Sequence, residues 1–156
     1  MAITPRPSNM ILLSPPHQVE NQIENRYRTS EAATPGHLAE MHDDSGELKW
    51  RKSASATEYQ RPAVYLENGM MNKGIDDAWA ANDLTRVAFL RTGDIFNGLI
   101  ASGQNISFGE YLQSAGDGTL KSATATTADA NLARFQSLDA PGAVIVLTRL
   151  RVQVVG

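Results

Sequence analysis

The stretch RTGDIFNGLIASGQNISFGEYLQSAGDGTLKSA, Arg91 to Ala123, decides the fold. It consists of short apolar steps separated by Gly-centred turns: Thr92-Gly93-Asp94, Ser102-Gly103-Gln104, Phe108-Gly109-Glu110 and Gly116-Asp117-Gly118. Glycine reaches positive φ at no steric cost, so a glycine every few residues lets a chain reverse repeatedly. Between the turns stand Ile95, Phe96, Leu99, Ile100, Ile106, Phe108, Tyr111 and Leu112, in runs too short for stable helices and suited to strands joined by tight turns. Asp117-Gly118, between Tyr111-Leu112 and Leu120, is a strong short-range hairpin signal.

Working outward toward the carboxy terminus, Thr124 to Ala130 is small and polar and reads as a surface connection, and Leu132 to Leu138 alternates like a strand. Asp139-Ala140-Pro141-Gly142 turns, and Ala143 to Val155 is the longest strand candidate. Val144, Val146, Leu150, Val152 and Val154 share one face, interrupted by Thr148, which predicts an inward-packing face. The other face begins with Ile145 and Leu147 and turns basic at Arg149 and Arg151, so its second half is expected at a surface or interface.

Toward the amino terminus, Arg86 to Leu90 and Pro62 to Leu66 read as strands, and Ile75 to Asp83 as a helical turn or a loop carrying Trp79. His37 to Met41 and Glu47 to Trp50 alternate about Asp43-Asp44-Ser45-Gly46, which predicts a hairpin with a four-residue loop. The globular domain is expected over residues 35–156, beginning at Pro35-Gly36. Residues 1–34 differ: they hold Pro5, Pro7, Pro15 and Pro16 and a polar run from His17 to Glu31. Such a segment has little apolar surface with which to offset its ordering entropy. Two readings stay open: a disordered tail, or an extended arm that docks on a neighbouring subunit with the apolar island Met10-Ile11-Leu12-Leu13 as its anchor. Val19, Ile23 and Tyr27 at spacing four also allow a short helix there. Many short strands and at most one or two short helices predict an all-β barrel or sandwich behind an extended amino-terminal arm.

Composition narrows the function. The 156 residues suit one domain with one core, and 42% hydrophobic residues are enough to build it. A net charge of −3 argues against wholesale nucleic-acid binding, and 6% aromatic residues argue against a large stacking surface. The absence of cysteine removes disulfides, thiolate catalysis and thiolate metal sites. No apolar run approaches the roughly 20 residues that span a bilayer, and the amino terminus makes a poor signal peptide, so a protein made in a cytoplasm and free of membrane is expected.

No constellation of residues makes a convincing catalytic set. His37 and His42, five apart, would point to opposite faces of one strand, so no zinc site is expected. Asp43-Asp44, Asp76-Asp77, Asp94, Glu110 and Asp117 sit beside glycines or in polar loops, where acids are ordinary turn residues, and none follows calcium-loop spacing. The Gly98 to Gly109 region lacks the Gly-Lys-Ser/Thr and Gly-x-Gly-x-x-Gly orders of phosphate loops. Ser102, Ser107 and Ser114 lack a nearby histidine and a nucleophile-elbow pattern. Lys121 lies beyond the Asp117-Gly118 turn, where a lipoyl or biotinyl carrier would need it at the turn, and it reads as an edge-strand lysine. No cofactor is expected.

The run Gly93-Asp94…Gly103-Gln104-x-Ile106…Gly109-Glu110-x-Leu112-x-Ser114…Gly116-Asp117-Gly118-x-Leu120 resembles the capsid decoration (cement) proteins of tailed bacteriophages. So does Ala133-Arg134-Phe135 followed by Pro141-Gly142 and a closing Val-rich strand. The resemblance extends over about Pro62 to Val155, with Glu110 where the family commonly has Asp, and does not reach the amino-terminal arm. It implies a small β-barrel or β-tulip-like module without enzymatic activity, assembled as a homotrimer on the outside of a phage head and clamping major capsid protein subunits together. On that reading Ile11, Leu12 and Leu13 are the expected arm anchors, and Arg149 and Arg151 the expected subunit contacts, with a solvated strand face as the alternative for the arginines. Two other function classes are weaker. Gly74-Ile75-Asp76 faintly matches one motif of the trimeric β-barrel nucleotide hydrolases, whose other motifs are missing. A glycan- or receptor-binding virion module would have only two Trp and four Tyr as platforms.

Overall fold

The computed structural model describes residues 10–13, 23–56, 61–123, 135–144 and 147–155. Among these residues twelve strands follow in order: β1 (Ile23–Glu24), β2 (Ala39–Asp44), β3 (Glu47–Lys52), β4 (Ala63–Tyr65), β5 (Val87–Phe89), β6 (Ile95–Ile100), β7 (Gln104–Ile106), β8 (Tyr111–Ser114), β9 (Leu120–Ser122), β10 (Phe135–Ser137), β11 (Gly142–Val144) and β12 (Thr148–Val154). A single 3₁₀ turn, Gly69–Met71, is the only helical element among the described residues. The protein is all-β, and its centre is a closed five-stranded barrel in the order β10-β12-β6-β9-β8.

Side-chain alternation explains the barrel. Along β12, Leu150, Val152 and Val154 point inward and are buried, while Arg149, Arg151 and Gln153 point out. Phe96, Ile100, Leu112, Leu120 and Phe135 meet them in one core, where the Phe96 and Phe135 rings pack edge-to-face at 5.8 Å. Gly98 lies between Phe96 and Ile100 on β6. A Cβ there would come within 2.9 Å of Leu120 Cδ1 and 3.0 Å of Phe96 Cε2, so the small barrel needs a glycine at that point. The expected Asp117-Gly118 reversal joins β8 to β9 as an antiparallel pair with Ser114 opposite Leu120.

A small sheet, β1-β5-β4, walls one side of the barrel. Val64 and Ala88 face the barrel core, whereas Ala63, Tyr65 and Val87 face a second cluster built by Ala33, Ala39, Trp50 and Trp79. Burial on both faces accounts for the unbroken apolar runs at these two strands. The β2–β3 hairpin covers the second cluster through Trp50, whose ring lies 5.6 Å from Phe89.

Several expectations need correction. The hairpin loop has two residues, not four: Ser45 (φ 58°) and Gly46 (φ 90°) make the turn, and Asp43 and Asp44 belong to the ladder opposite Leu48 and Glu47. Of the two readings of residues 75–83, a helical turn or a loop carrying Trp79, the loop is the one found, with Trp79 buried and its Nε1 donating to Leu66 O at 2.9 Å. The long strand from Ala143 to Val155 is two strands, β11 pairing with β7 and β12 with β6 and β10. Ile23 and Glu24 form a strand on β5, not part of a helix, because Ile23 packs against the barrel-side core; Val19 lies outside the described residues. Residues 28–33, assigned from sequence to the arm, run along the body: Thr29 bridges Trp50, Ala33 bridges Trp79, and both Thr29 and Ala33 are buried. Residues 1–9 and 14–22 of the expected arm, the 124–130 connection, and Ile145 and Val146 lie outside the described residues.

Candidate functional site

Strand β6 has an edge that three segments share, one of them at its middle, where Leu99 N donates to Gly36 O at 3.2 Å. Ile100 pairs with Leu120 of β9 in parallel, and at the other end Phe96 bridges Leu12. The segment Met10–Leu13 is held there by main-chain bonds from Leu13 N to Ile95 O and from Asn97 N to Ile11 O, each 2.8 Å. Two side chains clamp its backbone: Glu67 Oε2 accepts from Ile11 N at 3.0 Å, and Asn97 Nδ2 donates to Met10 O at 2.7 Å. Ile11, at 0% exposure, and Leu12, at 4%, are members of the barrel-side core, and Leu13 is half-buried. The expected arm anchors therefore sit in a groove of this chain's own barrel. Ile11 and Leu12, almost fully covered there, have no face to offer a capsid from that position. The apolar island is legible in sequence as an anchor; its receptor, an edge more than eighty residues away, is not.

The two arginines are also engaged within the chain. Arg149 is a clamp: its Nη1 donates to Pro35 O, its Nη2 donates to Ile75 O, and its Nε lies 3.4 Å from Asp76 Oδ1. Its closeness to Gly36 is such that a Cβ there would lie 2.5 Å from Nη1. Arg151 is exposed and pairs with Asp139, donating to Oδ1 through Nε at 3.0 Å and Nη2 at 2.6 Å, while its backbone N donates to Oδ2 at 2.7 Å. Partial burial raises the Asp139 pKa, but the Arg151 bonds outweigh it and hold the carboxyl below its usual range. Arg149 is thus a device of the fold, and Arg151 remains at a surface.

That surface is the outer wall of the barrel over β8, β10 and β12. The registers place Tyr111 beside Gln136, Gln136 beside Gln153 and Gln153 beside Ile95, in one row across four strands. Tyr111 is 54% exposed, and Phe108, in the turn leading to it, is 70% exposed. In the sequence both stand among the apolar steps between turns that suit strands. Leu112 faces inward, so its neighbour Tyr111 must face out, and Phe108 stands at the tip of the Ser107-Phe108-Gly109 turn. Gln136 Nε2 donates to Gly109 O at 2.9 Å and fixes that turn against the wall. The row itself is uncharged, and the exposed Phe108 stands at its rim.

Among the described residues no group of three or more His, Cys, Asp or Glu is placed to hold a metal ion. His42 Nε2 lies 2.8 Å from Ser30 Oγ and ties residues 28–31 to the hairpin. His37 is half-buried, accepts from Thr34 N at Nδ1 (3.0 Å), and has its pKa pushed down to about 4 by that burial, aided by Lys52. No helix among the described residues is long and apolar enough to cross a membrane.

The geometry defines a class, a small closed β-barrel walled by a second sheet and plugged at one edge by its own amino-terminal segment. The N base of the head fiber gp8.5 of bacteriophage phi29, known from its crystal structure, has a similar fold. The likeness has a TM-score of 0.54 at 13% sequence identity and covers 82% of this chain and 89% of that one. No protein-family model matches the chain, and no curated protein matches it.

Proposed function

We propose that this chain is a structural protein of the outer surface of a tailed-phage head, a decoration (cement) protein that works as a homotrimer and binds the major capsid protein without catalysing a reaction. The observation that carries the reading is the fold likeness to a phage head fiber base over most of both chains. The Gly-Asp turn pattern between Gly93 and Leu120 supports it independently. The physical means are present in the barrel wall. Aromatic side chains supply large contact area at low entropic cost, which suits Phe108 and Tyr111 as anchors on a shell. Three copies engaging as one unit turn modest single contacts into tight attachment through effective concentration. A shell cross-linked in this way resists outward pressure because separating two capsid subunits would require releasing a whole trimer.

The test is thermal. Phage heads stripped of accessory proteins are melted with and without the purified chain. A rise in the melting temperature of the heads that saturates with added protein is expected. An unchanged melting temperature at saturating protein would overturn the cement reading.

A further inference from the structure

We infer that Met10–Leu13 is an exchangeable strand: in the assembled oligomer, each copy's segment fills the β6 groove of a neighbouring copy. The inference rests on the homo-oligomer proposed above and names one contact that holds it together. Its starting point is the divided edge of β6. Strand β9 covers that edge only at Ile100, so residues 95–97 would present unpaired backbone groups if Met10–Leu13 were elsewhere. The groove has to be filled by a strand, and it holds its occupant in the manner of strand addition. A main-chain ladder to Ile95 and Asn97 supplies binding, the Glu67 and Asn97 side chains grip the occupant's backbone, and the core pocket takes Ile11 and Leu12.

Every element of that recognition is present in every copy. A neighbour's segment makes the same contacts as the chain's own, which is the condition under which identical elements exchange between protomers at low cost. The connection permits it. Nine residues, 14–22, separate Leu13 from the start of β1, a contour of about 30 Å when extended. Exchange places Ile11 and Leu12 inside another subunit, so the oligomer closes by burying core side chains in addition to joining surfaces.

The absence of cysteine makes a disulfide trap clean. Leu13 and Ile95 are opposite each other on the ladder, are joined by the 2.8 Å bond from Leu13 N to Ile95 O, and are both half-buried. The full chain carrying Leu13→Cys and Ile95→Cys is oxidised under native conditions and run on a non-reducing denaturing gel, with its native mass measured in parallel by light scattering. Exchange predicts an oligomer in solution and conversion of most of the monomer band to covalent dimer and trimer. An oligomer whose disulfides all lie within monomer bands overturns exchange and leaves the oligomer standing. An oligomer with both thiols free overturns it too, since the segment then occupies no groove. A monomer in light scattering overturns the homo-oligomer and exchange with it. Should the double variant fail to fold, chains carrying Leu13→Cys alone and Ile95→Cys alone are refolded together. A covalent heterodimer well above the level in either chain by itself is expected, and its absence overturns the inference.

Discussion

His37 shows how one half-buried side chain couples the fold to pH. Its ring is packed where Gly118 leaves room, a Cβ there coming within 3.2 Å of Cδ2, and its Nδ1 accepts the Thr34 N–H. Burial is the largest influence on its charge state. Lys52 and Arg149 also oppose protonation, while Asp117 favours it, and the pKa falls to about 4 from 6.5. The folded state thus keeps a neutral imidazole where the unfolded chain binds a proton. The contribution to stability is fully present above pH 6.5 and is lost as pH falls through 4, up to about 3 kcal/mol over that window. Urea unfolding at pH 7, 5.5 and 4 should show this loss, and His37→Asn, which keeps an acceptor without the titration, should flatten it. Histidine 37 is visible in the sequence, but the groups that set its pKa come from three other parts of the chain. The same holds for Arg149: its position on a basic strand face is legible, while its carbonyl partners Pro35 and Ile75 lie 114 and 74 residues away. Sequence patterning therefore suggests a subunit contact or a solvated face, whereas the partners found lie within the chain.

At the scale of elements, the plug at β6 carries a measurable share of stability. Leu12→Ala empties a core position and is expected to cost about 2–4 kcal/mol. Leu13→Ala, at a half-buried site, should cost less than about 1 kcal/mol. Chemical denaturation of both variants checks the contrast, and equal small losses would mean that the segment is not seated. The β2–β3 turn allows a gain in stability. Ser45 holds φ 58°, a left-handed conformation that serine tolerates poorly and asparagine well, and Gly46 follows it as a type I′ turn requires. Ser45→Asn should stabilise the protein by about 0.5 kcal/mol, a rise of one or two degrees in Tm readable by calorimetry. That turn also explains a sequence misreading. Asp43-Asp44 has turn chemistry, yet Asp44 is a ladder residue whose carboxylate takes Lys49 Nζ at 2.9 Å, and Asp43 caps the turn by accepting Gly46 N at 2.6 Å. The split of Ala143–Val155 was hidden for a related reason. A continuous apolar alternation says that both halves are strands, but it does not say that they pair with different partners.

At the scale of the molecule, the Gly-punctuated run and the inward face of the last strand foresee an all-β barrel or sandwich, and the closed five-stranded sheet decides for the barrel. The wall sheet was legible as two strands but not as a layer buried on both sides. The exposed row was missed because Phe and Tyr are apolar by composition; only the phase of alternation, fixed by Leu112, puts Tyr111 outside. Phe108→Ala with Tyr111→Ser should leave the melting temperature of the protein within about two degrees of the parent, since both side chains are mostly exposed. The same pair should weaken attachment to stripped heads about tenfold or more, measured by quantitative sedimentation. Unchanged attachment would move the docking surface elsewhere on the barrel. The measurement that bears most directly on the account is the number of copies bound per stripped head at saturation, counted with labelled protein. A head-surface trimer predicts saturable binding at a fixed copy number divisible by three. Binding that never saturates, or none at all, would contradict a structural role on the head.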